Sequence, residues 1–174
     1  MKRTSGSSPQ SAAAQSQTPA PAPDHGKIIR RREHPRCIVC SPANPMGLGL
    51  EFTEEPDGSV SSSFRGSEVF EGWPGRLHGG VIAAWLDEAM GHCLLAHGKF
   101  GFTAELTLRY RHPVASKTPM TVRAWLLHSH RRLHLLRAEL RQDDRLKATA
   151  LGTFVQPPMG DPAAGILSAR KHPS

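Results

Sequence analysis

Apolar positions fall in two different periods along this 174-residue chain, and the places where the period changes divide it into elements. From Val81 to Leu95 nothing breaks a helix except Gly91, which costs only about 1 kcal/mol against alanine. Val81, Trp85 and Ala89 follow one ridge, and Ile82, Leu86, Met90 and Cys93 follow its neighbours. Apolar residues therefore cover most of the circumference, which predicts a buried helix from roughly His78 to His97, wrapped by other structure. Beyond it the period falls to two. Phe102, Ala104, Leu106, Leu108 and Tyr110 alternate with Thr103, Glu105, Thr107, Arg109 and Arg111, so a strand is expected with its apolar face on the helix and its other face polar. Met120–Ser129, Leu133–Gln142 and Leu146–Val155 repeat the strand pattern, separated by turns at His130-Arg131-Arg132 and Asp143-Asp144. Upstream, Leu48–Phe52 and Ser59–Phe64 read as a first hairpin around Glu55-Pro56-Asp57-Gly58. Six strands around one helix make an α+β domain, although the pattern does not set the order or curvature of the sheet.

The ends of the chain lack either period. Residues 1–33 form an arm of Ser, Ala, Gln and Pro that closes on the basic run Lys27–Arg32, and it is too poor in large apolar side chains to order itself. The domain is expected over 34–156, and 157–174 is a tail. Net charge is +7, but residues 1–36 hold seven Lys/Arg against two Asp/Glu, a net of +5, and the remaining 138 hold fifteen against thirteen. The domain thus lacks the positive field of a nucleic-acid binder. The sequence contains no apolar run long enough to span a membrane and shows no secretory signal, and its three cysteines suit a reducing compartment, so a cytoplasmic protein is expected.

Candidate chemistry centres on the helix. His78-Gly79-Gly80 follows the turn Trp73-Pro74-Gly75, and its glycine amides open to close approach at the helix end that carries partial positive charge. Such an end stabilises a developing oxyanion. A glycine turn with a capping histidine has the same sequence. Asp87, an acid inside an apolar segment, shifts the balance, because an ionised carboxylate there needs a partner or a pocket. Glu88, about 100° further round, is expected to face solvent. Nine residues separate His78 from Asp87, which puts them on opposite faces and roughly 13 Å apart along the axis. If they cooperate, two chains must combine, which predicts a homodimer, or a dimer of such dimers, with composite sites.

His34-x-x-Cys37-x-x-Cys40 has metal or dithiol spacing, but a zinc site needs a fourth ligand, and Cys93 falls inside the predicted helix. The expectation is a packed, reduced loop with no metal. His128, His130 and His134 lack neighbouring acids or cysteines and read as a solvated turn.

Glu71-Gly72-x-Pro74-Gly75-x-x-His78-Gly79-Gly80, with Asp87 nine residues after the histidine and Thr103 twenty-five after it, resembles the hotdog-fold acyl-CoA thioesterases, in the branch similar to phenylacetate-pathway thioesterases. The resemblance covers about residues 37–156 and includes Cys37-x-x-Cys40 before Asn44-Pro45-Met46-Gly47-Leu48. It implies a long helix wrapped by a curved antiparallel sheet, and thioester hydrolysis without metal or redox cofactor. Gly79 or Gly80 would offer an amide to the thioester carbonyl, with His78 helping to form that site. Asp87 would activate water as general base or attack the acyl carbon as nucleophile, oriented by Thr103. An acyl-CoA substrate would bring its acyl group to Phe70, Trp73, Trp85 and Met90; by their own chemistry Arg109 and Arg111 suit either its phosphates or a solvated surface equally well. Many relatives have asparagine six residues before the histidine, where this chain has Gly72. That departure motivates a rival reading as a non-catalytic acyl-CoA-binding protein, and an adaptor acting through its basic arm is a third.

Overall fold

The computed structural model describes residues 36–158, 160 and 161. The arm 1–33, its basic run, His34 and most of the tail lie outside the described residues. Within them, eight strands and one long helix follow in the order β1 (Thr53–Glu54), β2 (Val60–Phe64), β3 (Glu71–Trp73), β4 (Arg76–Leu77), α1 (Gly79–Ala96), β5 (Phe102–Tyr110), β6 (Met120–His130), β7 (Leu133–Gln142) and β8 (Arg145–Val155). A 3-10 turn, Glu68–Phe70, precedes β3. Six strands form one antiparallel sheet in the order β1-β2-β6-β7-β8-β5, and α1 packs on one face of it, mainly against β2, β6, β7 and β8. This is the hotdog arrangement.

The sheet accepts the helix because its inward positions are small at the closest approach. Ala124, Ala138, Ala148 and Ala150 are buried beneath Trp85, Leu86, Met90 and Leu94. At Gly152 an added Cβ would stand 2.9 Å from both Met90 Cε and Phe154 Cε2, so even alanine there would force those side chains to shift. Phe64 meets the Trp85 ring edge-on at 5.5 Å. Truncating Trp85 to alanine would cost about 3–5 kcal/mol.

Helix α1 begins and ends within a residue of the predicted limits, with His78 as its N-cap and His97 as its C-cap. Three features depart from the pattern. The stretch Leu48–Phe52 is not a strand, although Leu50 and Phe52 are buried. Gly49 takes φ +61, which breaks extension, and the amides of Leu48 and Leu50 bond to the carbonyls of Ile38 and Val39. Strand pairing starts only at Thr53, opposite Ser61. The Trp73-Pro74-Gly75 turn is the tip of a small ribbon, β3 against β4, with Gly75 at φ +71.

The third departure bears on the site. Simple alternation puts Thr103 on the face opposite Leu106, Leu108 and Tyr110. The register instead slips between Thr103 and Glu105, where Thr103 faces Phe154 and Glu105 faces Thr153, leaving Ala104 as an extra residue. Leu106, Leu108 and Tyr110 pair with Gly152, Ala150 and Ala148, and directly paired residues share a face. Buried Phe154 marks the same inner side, so the bulge turns Thr103 toward the helix.

Candidate active site

The loop before α1 is built by Glu71. Its carboxylate accepts the Gly75 amide at 2.9 Å and the Ser116 hydroxyl, and these bonds hold it below the usual carboxylate range, the Ser116 bond contributing most. Gly75 in turn accepts the Ser116 amide, and Leu77 donates to the Val114 carbonyl. The ribbon is thereby tied to the segment between β5 and β6, and the His78 amide is fixed on the Phe70 carbonyl at 2.9 Å.

His78 caps the helix with its ring. Nδ1 accepts the Gly80 amide at 2.9 Å, so the imidazole carries its proton on Nε2 in this arrangement. The Gly80 amide is therefore engaged, and Gly79 presents the amide of the first helical turn, where the helix offers no carbonyl to receive it. Tyr110 holds the same residue from the other side, donating its hydroxyl to the Gly79 carbonyl at 2.8 Å. The ring of His78 also lies on Gly72. A Cβ at position 72 would stand 2.8 Å from His78 Cδ2 and 3.3 Å from its Cα, so asparagine fits there only if the histidine moves.

Asp87 lies at mid-helix, half-buried, and accepts a hydrogen bond from Thr103 Oγ1 at 2.8 Å on Oδ1. The bulge at Ala104 makes this contact. The structure thus joins Asp87 to Thr103, and His78 to both glycines, as two separate groups on one chain.

Other predicted residues fall elsewhere. Trp85 and Met90 are fully buried in the core, where they pack α1 on the sheet and have no surface to offer a substrate. Trp73 is 79% exposed on the ribbon, close in sequence to the helix start. Arg109 pairs with Thr149 on the outer face of the sheet, away from Asp87, where Arg109 and Arg111 line a 270 Å³ groove with Thr107, Arg137 and Leu151. Glu88 corrects an expectation outright: it is buried, packed beside His92 at 3.2 Å, while Asp87 is the more open of the two acids.

Sequence reasoning also missed Glu71 as a loop brace, together with Tyr110 and Ser116. Tyr110 could have been found from its place on the inward series of β5; Ser116 has no local signal.

The sequence profile of the Thioesterase superfamily matches residues 74–149, a span that contains His78, the glycines, Asp87 and Thr103. An acyl-coenzyme A thioesterase THEM4 from Bos taurus is 30% identical over 115 residues, covering 63% of this chain and 47% of that protein. The chain thus spans about half the length of this curated relative. A solved thioesterase superfamily protein superposes with a TM-score of 0.67 at 30% identity, over 69% of this chain and 63% of the other. A phenylacetic-acid-degradation-related protein from Ralstonia eutropha JMP134 superposes with a TM-score of 0.62 at 26% identity, over 76% and 99%. The span from the β3–β4 turn into β8 is thus similar to the thioesterase superfamily, and the sheet packed on one long helix has the hotdog arrangement.

Proposed function

We propose that the protein hydrolyses an acyl-CoA thioester to free acid and CoA, with Asp87 at the reacting centre. The observation that carries this reading is the 2.8 Å hydrogen bond from Thr103 to Asp87, made by a bulge that interrupts an otherwise regular strand. A half-buried carboxylate with a hydroxyl on one oxygen is held in one orientation, which suits it to activate water or to attack an acyl carbon. The His78 ring, with its proton on Nε2, and the Gly79 amide supply two donors at the positive end of a helix, where the tetrahedral oxyanion would form. The similarity to acyl-coenzyme A thioesterases supports the substrate class.

These two groups come from different chains in this proposal. Within α1 they occupy opposite faces. Strand β5, which carries Thr103 and Tyr110, ends the sheet and bonds to β8 along one side only, with Phe102 and Tyr110 about half exposed. Such an edge is a template for antiparallel pairing with a second copy. A two-fold axis there would bring the helix start of one copy toward Asp87 of the other.

Subunit complementation tests this. His78→Ala and Asp87→Asn proteins are each expected to be nearly inactive, and a mixed dimer would carry both lesions in one site and neither in the other. Random exchange of equal amounts should restore about a quarter of wild-type activity, since about half the dimers are mixed and each has one intact site of two. Verified exchange of tagged chains without recovery would place the site within one subunit. Water-oxygen label found in Asp87 after a single turnover identifies the nucleophilic route; label confined to the product acid fits both general base catalysis and an anhydride opened at the acyl carbon, and trapping of the acyl-enzyme anhydride tells these two apart.

A further inference from the structure

On the other flank of α1, away from Thr103, the helix meets the loop that precedes β1. Cys37 and Cys40 lie on that loop, and both thiols are reduced and half-buried. One ligand atom from each of them and one from the Glu88 carboxylate lie within 4.8 Å of one another. His92, one turn further along α1, places Nε2 at 3.2 Å from Glu88 Oε1, and Phe52 stacks on its ring at 4.2 Å, nearly parallel. Glu88 is 7% exposed and His92 is 3% exposed.

The loop is shaped to present the two sulfurs. Val39 donates its amide to Cys37 Sγ at 3.4 Å, the Ser41 amide closes on the Cys37 carbonyl at 3.1 Å, and the returning segment bonds back through Leu48 to Ile38 and Leu50 to Val39. Gly47 permits the fold-back, since a Cβ there would stand 2.9 Å from the Ile38 carbonyl oxygen. The result is a tight knuckle with an amide aimed at a sulfur, pressed against a helix that supplies a carboxylate and an imidazole.

From this geometry we propose a structural zinc site in which Cys37, Cys40 and Glu88 are ligands and His92 braces the Glu88 carboxylate. Two thiolates with oxygen and nitrogen donors form a set that zinc accepts, and tetrahedral bonds of about 2.3 Å to sulfur and 2.0–2.2 Å to oxygen bring donors within about 4 Å of each other, a small contraction of the present spacing. A carboxylate buried beside two thiols is costly, and a divalent cation offsets that cost. Histidine on a liganding carboxylate is a usual outer-shell arrangement, and it leaves the fourth position to water or to His92 itself. A dithiol–disulfide pair would use the two cysteines equally well, but it gives Glu88 and His92 nothing to do. The site would pin the knuckle to α1, independently of the thioesterase reading.

Cobalt titration of the chelator-treated, reduced full chain tests the proposal. One Co²⁺ per chain is expected to give a sulfur-to-metal charge-transfer band and the visible bands of tetrahedral coordination, bleached by one equivalent of Zn²⁺, and Zn²⁺ should raise Tm. Cys37→Ser and Cys40→Ser should each weaken or abolish the charge-transfer band. Glu88→Gln should retain it but lose more than about tenfold in affinity, the lower end of what removing even an outer-shell partner costs. Cys93→Ala should leave the charge-transfer band and the Co²⁺ affinity unchanged. Absence of the band in the reduced wild-type chain overturns the proposal even if the cysteine variants fail to fold. So does a band that survives both cysteine substitutions, or an unchanged affinity in Glu88→Gln.

Discussion

Asp87 and Glu88 are adjacent carboxylates on one helix, and a single step of about 100° separates two unlike environments. Asp87 looks toward the edge strand β5, half-buried, with a hydroxyl from Thr103 on Oδ1. Glu88 looks toward the Cys37–Cys40 knuckle, buried, with an imidazole 3.2 Å away and no comparable opening. An acid that must exchange protons or meet a substrate needs access, whereas an acid enclosed by thiols and histidine suits a fixed structural role. The comparison teaches that burial alone does not mark the reacting group. What surrounds the acid, and on which side it opens, matters more.

The two acids should therefore fail in different ways. Asp87→Asn is expected to lower kcat by at least about a hundredfold while Tm stays near wild type, because the shape is nearly kept and the base or nucleophile is lost. Steady-state kinetics beside thermal melting checks both halves, and a folded Asp87→Asn protein with normal kcat would remove Asp87 from the chemistry. Glu88→Gln should do the reverse. Loss of the buried charge beside His92 should destabilise by about 1–3 kcal/mol, read by denaturant unfolding, with kcat within a few-fold of wild type. Equal kinetic damage from both changes would erase the distinction.

Changes around the two donor groups sharpen the same contrast. Gly72→Asn should lower kcat/KM about tenfold or more, since its Cβ would stand 2.8 Å from His78 Cδ2 and the ring must shift from its cap on Gly80. A variant with undiminished kcat/KM would show that the ring position is not needed. Thr103→Val keeps the strand residue and removes the hydroxyl, and about a tenfold loss in kcat with unchanged Tm is expected, smaller than the loss at Asp87 itself. An unaltered kcat would make that hydrogen bond incidental.

The smallest effect concerns Glu71. Its carboxyl titrates below the ordinary range because the folded state bonds its ionised form, so the stability it contributes is present above the ordinary carboxylate value and is lost as pH falls through the lowered one. Glu71→Gln should therefore flatten part of the acid limb of Tm against pH and leave Tm differences largest near neutrality. Parallel curves for the two proteins would show that the Glu71 brace adds nothing through its charge.

Much of this organisation is legible in the chain itself, because helix and strand periods are local properties. The apolar run after His78-Gly79-Gly80 locates α1 to within a residue at each end, and an aspartate inside that run stands out against any packing explanation. The turn at 55–58 and the strands after it are likewise written in neighbouring residues: the Gly58 amide bonds to the Glu55 carbonyl, and β6, β7 and β8 lie where alternation places them. Tertiary structure decided the rest. Alternation assigned Thr103 to the wrong face, since one bulged residue at Ala104 inverts the parity and the pairing partner that reveals it, Phe154, is remote in sequence. Glu88 looked like a solvent-facing neighbour of Asp87 because the loop that buries it lies almost fifty residues upstream, and no local period records which side of a helix a distant segment will cover. Local spacing set the elements of this protein, and only the packing of sequence-distant segments set what each acid meets.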